Sequence, residues 1–153
     1  MRIRIEIEYG AEEEIILRAP RITEEIRELQ EKIADAAHSV GEIALQSGDT
    51  ELFLPYSEIL FFETSGGKIL AHTAGDCFVC PLRLYELETL LPLAFVRASK
   101  ACLLNTSRVY SITRSLTGVS EVCFTGSTKR TSVSRMYYHT VRDRIEQTRL
   151  SGK

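Results

Sequence analysis

Two of the four cysteines, Cys77 and Cys80, stand in Cys77-Phe78-Val79-Cys80, a spacing shared by thiol redox pairs and by half of a zinc site. A redox pair of that kind opens a helix, whose dipole activates the thiolate. This one sits in an extended apolar run that Pro81 stops, and a strand points residues three apart to opposite faces. No second Cys or His pair at metal spacing accompanies it, so no metal site is expected; a thiol redox protein using Cys77/Cys80 stays as an alternative. Cys102 and Cys123 stand apart from it. His38, His72 and His139 lie in unrelated contexts, and there is no G-x-S-x-G, phosphate loop or H-E-x-x-H. Glu86 and Glu88 read as the wet face of a helix. The expectation is a protein that is not an enzyme and carries no cofactor.

The other chemistry on the chain is charge. The net charge of −2 conceals an asymmetry. Residues 1–51 hold 6 Lys/Arg against 13 Asp/Glu, a net of −7, and residues 97–153 hold 11 against 3, a net of +8. A basic C-terminal portion on a near-neutral chain suggests a face for a polyanion, or else a solvated surface that happens to be basic. At 44% apolar and 26% charged residues, the 153-residue chain has the composition of an ordinary globular protein with a core. Its start, Met1-Arg2-Ile3-Arg4-Ile5-Glu6, is not a secretion signal, and no apolar run approaches the roughly 20 residues of a membrane helix. A cytoplasmic location with reduced thiols is expected.

The elements that must position these residues are short. Ile3, Ile5, Ile7 and Tyr9 alternate with charges, which predicts a strand; Gly10 breaks it, and residues 14–18 can return as a second strand. Thr23-Glu24-Glu25 starts a helix in which Ile22, Ile26, Leu29, Ile33 and Ala37 form one stripe, fading near residues 38–41. That stripe can pack on its own sheet or form a dimer interface. Strands are then expected at 42–45, 52–54, 59–64, 69–73, 77–80, 95–99, 101–105, 109–113, 119–125 and 130–134, with turns at Gly48-Asp49, Ser65-Gly66-Gly67-Lys68 and Gly75-Asp76. Helices are expected at 82–91 and 136–148. The fold class is therefore mainly β with short helices, behind a small strand-strand-helix region, α+β overall. The domain division is 1–46, acidic, and 47–150.

Four blocks within residues 50–150 resemble one family. Ile59-Leu60-Phe61-Phe62-Glu63 with its glycine loop is similar to the opening hairpin of LytTR DNA-binding domains. Leu84-Tyr85-Glu86-Leu87-Glu88-Thr89-Leu90-Leu91 resembles the family's helix pattern L-x-x-L-E-x-x-L. Residues 95–105 resemble its F-x-R-x-H/S-x-S-x-x-V/I-N signature, and Val133-Ser134-Arg135-Met136-Tyr137 its V-S-R-x-Y. The resemblance implies a β-rich fold that sets loops, in place of a recognition helix, into successive major grooves of double-stranded DNA. It places Gly66, Gly67 and Lys68 in a first contact loop, Ser99 and Lys100 in a second, and Arg135 in a third. Arginine can grip guanine O6 and N7 with two donors, lysine can bond a phosphate or a base edge, and paired glycines let backbone approach closely. Ala101 departs from the pattern, where family members often carry a hydroxyl. Each position also has a plainer reading: a surface arginine, a simple turn, and Arg97 as an ion-pair residue. Lys129, in the preceding turn, is expected at most to touch phosphate.

The resemblance thus implies a sequence-specific transcription regulator of bacterial type; because one module offers only a few loop contacts, it is expected to act on repeated sites as a homodimer, at least on DNA. The fifty residues ahead of the module are too few for a receiver domain, and stand-alone relatives are often controlled by a membrane protein. The competing reading is a protein-interaction module whose basic side meets an acidic partner without binding DNA.

Overall fold

A computed structural model of the chain describes residues 1–11, 14–39 and 41–151. It divides into two compact units, Met1–Ile33 and Ala34–Lys153. Helix α1 (Glu24–Ser39) begins where expected, within the first unit. The Thr23 hydroxyl accepts the Ile26 N–H at 3.3 Å, and Glu24 and Glu25 occupy the first turn, where the helix dipole favours acids.

The expected pair of N-terminal strands is absent among the described residues; Ile3, Ile5, Ile7, Tyr9, Ile15 and Ile16 are all exposed. The turn between them does form: Ala11 N–H donates to Glu8 O at 3.3 Å, and Gly10 has φ +82°. The register this turn dictates sets Ile5 opposite Glu14, Arg4 opposite Ile15 and Arg2 opposite Leu17, so neither face is uniformly apolar. A two-stranded ribbon is marginal even when well matched.

The second unit holds two antiparallel sheets. Its strands are β1 (Glu42–Ser47), β2 (Thr50–Pro55), β3 (Phe61–Ser65), β4 (Lys68–His72), β5 (Cys77–Cys80), β6 (Phe95–Ser99), β7 (Cys102–Asn105), β8 (Val109–Thr113), β9 (Ser120–Phe124) and β10 (Arg130–Val133). The larger sheet runs β2-β1-β5-β4-β3-β7-β6, the smaller β10-β9-β8. β1 pairs along its length with β2, so the expected boundary at 46/47 falls inside a strand of the sheet. Helix α2 (Leu84–Leu90) lies within the expected span, and α3 (Tyr138–Ser151) starts and ends slightly later than expected. Two 3-10 turns, Tyr56–Glu58 and Thr106–Arg108, escape the sequence reading. One turn of chain has no periodicity to detect.

The sheet is buried on both faces around Phe61-Phe62, Leu103-Leu104 and Phe95-Val96, which explains these consecutive apolar residues. Phe62, Leu103 and Phe95 pack with Leu84, Leu87 and Leu91 of and beside α2. Their neighbours Phe61, Leu104 and Val96 point the other way, into a second core with Val122 and Phe124 of β9 and Val141 and Ile145 of α3. The two layers are tied where they cross: Asn105, 1% exposed, donates through Nδ2 to Ile59 O at 3.0 Å and accepts the Ser107 N–H at 3.1 Å. A buried amide so satisfied fixes the chain as it leaves the first sheet for the second.

Candidate nucleic-acid interface

Three loops converge at one end of the larger sheet. β3 and β7 run antiparallel with Glu63 opposite Cys102, so the β3–β4 and β6–β7 turns leave the sheet side by side. Thr64 N–H donates to Ala101 O at 2.9 Å and joins them. On the other flank, Ser134 N–H donates to Ala98 O at 2.8 Å, which brings the residue after it, Arg135, alongside the β6–β7 turn.

Each loop has a local cause. Gly66 and Gly67 have φ +58° and +76°, the paired left-handed conformation that a two-residue hairpin turn requires, and glycine adopts it without strain. Lys68 follows as the first, exposed residue of β4. In the β6–β7 turn the Ser99 hydroxyl accepts the Ala101 N–H at 3.2 Å, and the pairing slips between Arg97 and Ser99. Arg97 braces this turn from behind: its Nη1 donates to Lys100 O at 2.6 Å, and its Nε pairs with Glu88 of α2. Arg97 is therefore the ion-pair residue its plainer reading described. Arg135 is exposed in the short link to α3.

Ser99, Lys100 and Arg135 line one open groove of about 520 Å³, along with Met136 and the Thr117-Gly118-Val119 stretch of the β8–β9 loop. Gly66, Gly67 and Lys68 lie beside it across the Thr64–Ala101 bond and do not line it. The β8–β9 contribution is not legible in sequence, where Thr117-Gly118 reads only as a turn. Val119 and Met136 are 60% and 76% exposed, so the groove offers apolar surface as well as charge.

The basic residues divide sharply by partner. Arg108 donates to Ser57 O and Thr125 O, Arg144 to Leu93 O, and Arg149 to Val109 O. Arg130 pairs with Glu121, Arg142 with Glu146, and Arg114 lies over the Tyr138 ring. Lys129, expected to reach phosphate at most, has its ammonium bonded to Asp76 O and to His72 Nδ1, the latter at 3.2 Å. Within residues 41–151, Lys68, Arg83, Lys100 and Arg135 carry charged groups with no partner among the described residues. Lys68, Lys100 and Arg135 belong to the three loops, and Arg83 follows β5, whose last residue Cys80 is paired with Ile69.

At the far end of β4, His72 is held by Lys129 on Nδ1 and by Glu63 on Nε2 at 2.8 Å, stacked on Phe61 at 4.2 Å. The lysine donates to Nδ1, so Nε2 carries the proton that goes to Glu63. This assembly ties the β9–β10 turn to the β4–β5 turn. Cys77 is exposed and Cys80 buried; burial pushes both thiols up, against the activation a redox pair needs. Cys102, buried against Thr131, is pushed up to about 11 by the same cause. Among the described residues no group of His, Cys, Asp or Glu is placed to hold a metal, and no helix is long and apolar enough to cross a membrane.

Comparison with known proteins converges on the same region. A family profile for the LytTr DNA-binding domain matches residues 49–146. The chain is 25% identical over 150 residues to an HTH-type transcriptional regulator of Staphylococcus aureus (strain NCTC 8325 / PS 47), covering 95% of this chain and 98% of that one. A regulator of the same description from strain MSSA476 is 26% identical over 135 residues, covering 86% and 88%. Among solved structures, the fold matches the LytTr DNA-binding domain of a protein from Bacillus cereus described as a methyl-accepting/DNA response regulator. The TM-score is 0.63 at 20% identity, covering 69% of this chain and 96% of that one. In the described residues α2 and α3 are separated by five strands, not by a helix-turn-helix link. With its β-rich module, its signature residues and a profile match over most of its length, the chain belongs to the LytTr DNA-binding domain family.

Proposed function

We propose that this protein is a sequence-specific transcription regulator that sets the β3–β4, β6–β7 and β10–α3 loops into the grooves of double-stranded DNA. The observation that carries the reading is the concentration of unpartnered cations, Lys68, Lys100 and Arg135, in the loops at one end of a sheet whose other arginines, Arg83 apart, are bound internally. Keeping cations free of internal partners leaves them available to phosphates and base edges. Lys68 and Lys100 position the module on the backbone; Arg135 reads a guanine edge; Gly66 and Gly67 let the first loop approach closely. Ser99 can donate its hydroxyl while accepting from Ala101, and Val119 and Met136 suit a thymine methyl. The module works in the cytoplasm as one of a pair on repeated sites, because a few loop contacts give little affinity for a genomic search. A membrane protein that sequesters the pair fits a regulator of this kind, and nothing in the site calls for catalysis.

Titration of the full chain against genomic duplex fragments at two salt concentrations tests this. Lys68 and Lys100 alone, each neutralising one phosphate, should cost roughly tenfold in affinity between about 50 and 200 mM salt. The same affinity at both would reject DNA binding and favour the protein-interaction reading.

A further inference from the structure

The first nine residues carry an apolar pattern that the single chain leaves exposed, while Arg4 pairs with Glu6 on the charged side. Met1, Ile3, Ile5, Ile7 and Tyr9 occupy the odd positions, and Arg2, Arg4, Glu6 and Glu8 the even ones. In the structure Ile3, Ile5 and Ile7 are 90%, 84% and 91% exposed, and no strand forms. The pairing that the turn at residues 8–11 would impose within the chain is largely mismatched: Ile3 meets Ile16, but Ile5 meets Glu14, Arg4 meets Ile15 and Arg2 meets Leu17.

One antiparallel register matches at every position, and it joins this segment to itself. Centred on Ile5, it sets Arg2 opposite Glu8, Arg4 opposite Glu6, Ile3 opposite Ile7 and Met1 opposite Tyr9. Residues directly opposite share a face, so all the apolar side chains fall on one side and four complementary ion pairs on the other. A parallel pairing of two copies would set Arg on Arg and Glu on Glu. The charge order, two arginines followed by two glutamates, therefore selects the antiparallel two-fold arrangement.

We propose that residues 1–9 form an antiparallel two-stranded ribbon with the same segment of a second copy of this chain. A closed two-fold interface of this kind uses the same patch on both copies and ends there. The apolar face of the ribbon needs cover to be stable. Ile15, Ile16, Leu17 and Ile22, exposed in the single chain, are the residues at hand to supply it. The proposal deepens the reading above, giving the paired modules their tether, and rests on that reading only for what the pair does on DNA.

Sedimentation of the full chain without DNA tests the association by itself. The wild type should be a dimer at micromolar concentration. The Arg2→Glu/Arg4→Glu variant and the Glu6→Arg/Glu8→Arg variant should each dimerise at least about tenfold more weakly, because every ion pair becomes a like-charge contact. An equimolar mixture of the two should recover the wild-type association as a heterodimer, which misfolding cannot mimic. A monomeric wild type, variants that dimerise like the wild type, or a mixture that fails to recover would each overturn the ribbon. Because these outcomes are read without DNA, they leave the DNA-binding reading to its own salt titration.

Discussion

At the scale of residues, the arginines of the basic C-terminal portion do two kinds of work, and the partner decides which. Arg97 spends its guanidinium on Glu88 and Lys100 O, and Arg108 on two carbonyls that join distant loops. Arg135 is exposed and spends its guanidinium on nothing among the described residues. Arg135→Ala should therefore leave the melting temperature unchanged and flatten the preference at one base pair, a cost of about 1–3 kcal/mol for the preferred base. Lys129→Ala should do the reverse. Losing the bonds to His72 and Asp76 O should cost on the order of 1 kcal/mol of stability and leave the ranking of operator variants as it was. Thermal melting with a single-base-variant binding profile on both proteins separates the roles, and an unchanged profile for Arg135→Ala would remove its base-reading assignment. Net charge could point to the basic half of the chain. It could not tell a bracing arginine from a free one, because that depends on carbonyls tens of residues away in sequence.

At the scale of elements, the turns carry the interface and the strands hold them in register. The β3–β4 hairpin was legible because Gly66-Gly67 between two apolar runs has a local physical meaning, and the same holds for Gly48 between β1 and β2. These two turns make a matched pair. Gly67 and Gly48 both have positive φ, +76° and +60°, and open space where a Cβ would go. Alanine at either should cost about 1 kcal/mol through backbone strain alone. Only Gly67→Ala should also weaken DNA binding, because it disturbs the loop that presents Lys68. Equal losses of affinity at both positions, measured on the same duplex, would argue that stability and not loop shape is being read. What the sequence could not convey at this scale was non-local. The Ser134–Ala98 bond that seats Arg135, and the entry of the β8–β9 loop into the groove, depend on how the small sheet docks on the large one.

At the scale of the molecule, the module was legible largely because β3, β6 and β7 each carry consecutive apolar residues buried on opposite faces, at fixed spacing to their turns. The N-terminal region was not. Its alternation is a true strand signal, but a strand exists only with a partner, and the intrachain register available to it is mismatched. β1 likewise takes its place through non-local pairing, with β2 and, at Gln46, with Val79 of β5, 33 residues further along the chain. The central claim is that the free cations of three loops read DNA while internally bonded basic residues such as Arg97, Arg108 and Lys129 hold the fold. Selection of bound sequences from a random duplex pool, run with the wild type and with the Lys68→Ala/Lys100→Ala/Arg135→Ala variant, tests it most directly. The wild type should enrich a repeated motif; the variant, with an unchanged melting temperature, should enrich none. A variant that enriches the same motif as strongly as the wild type would contradict the account.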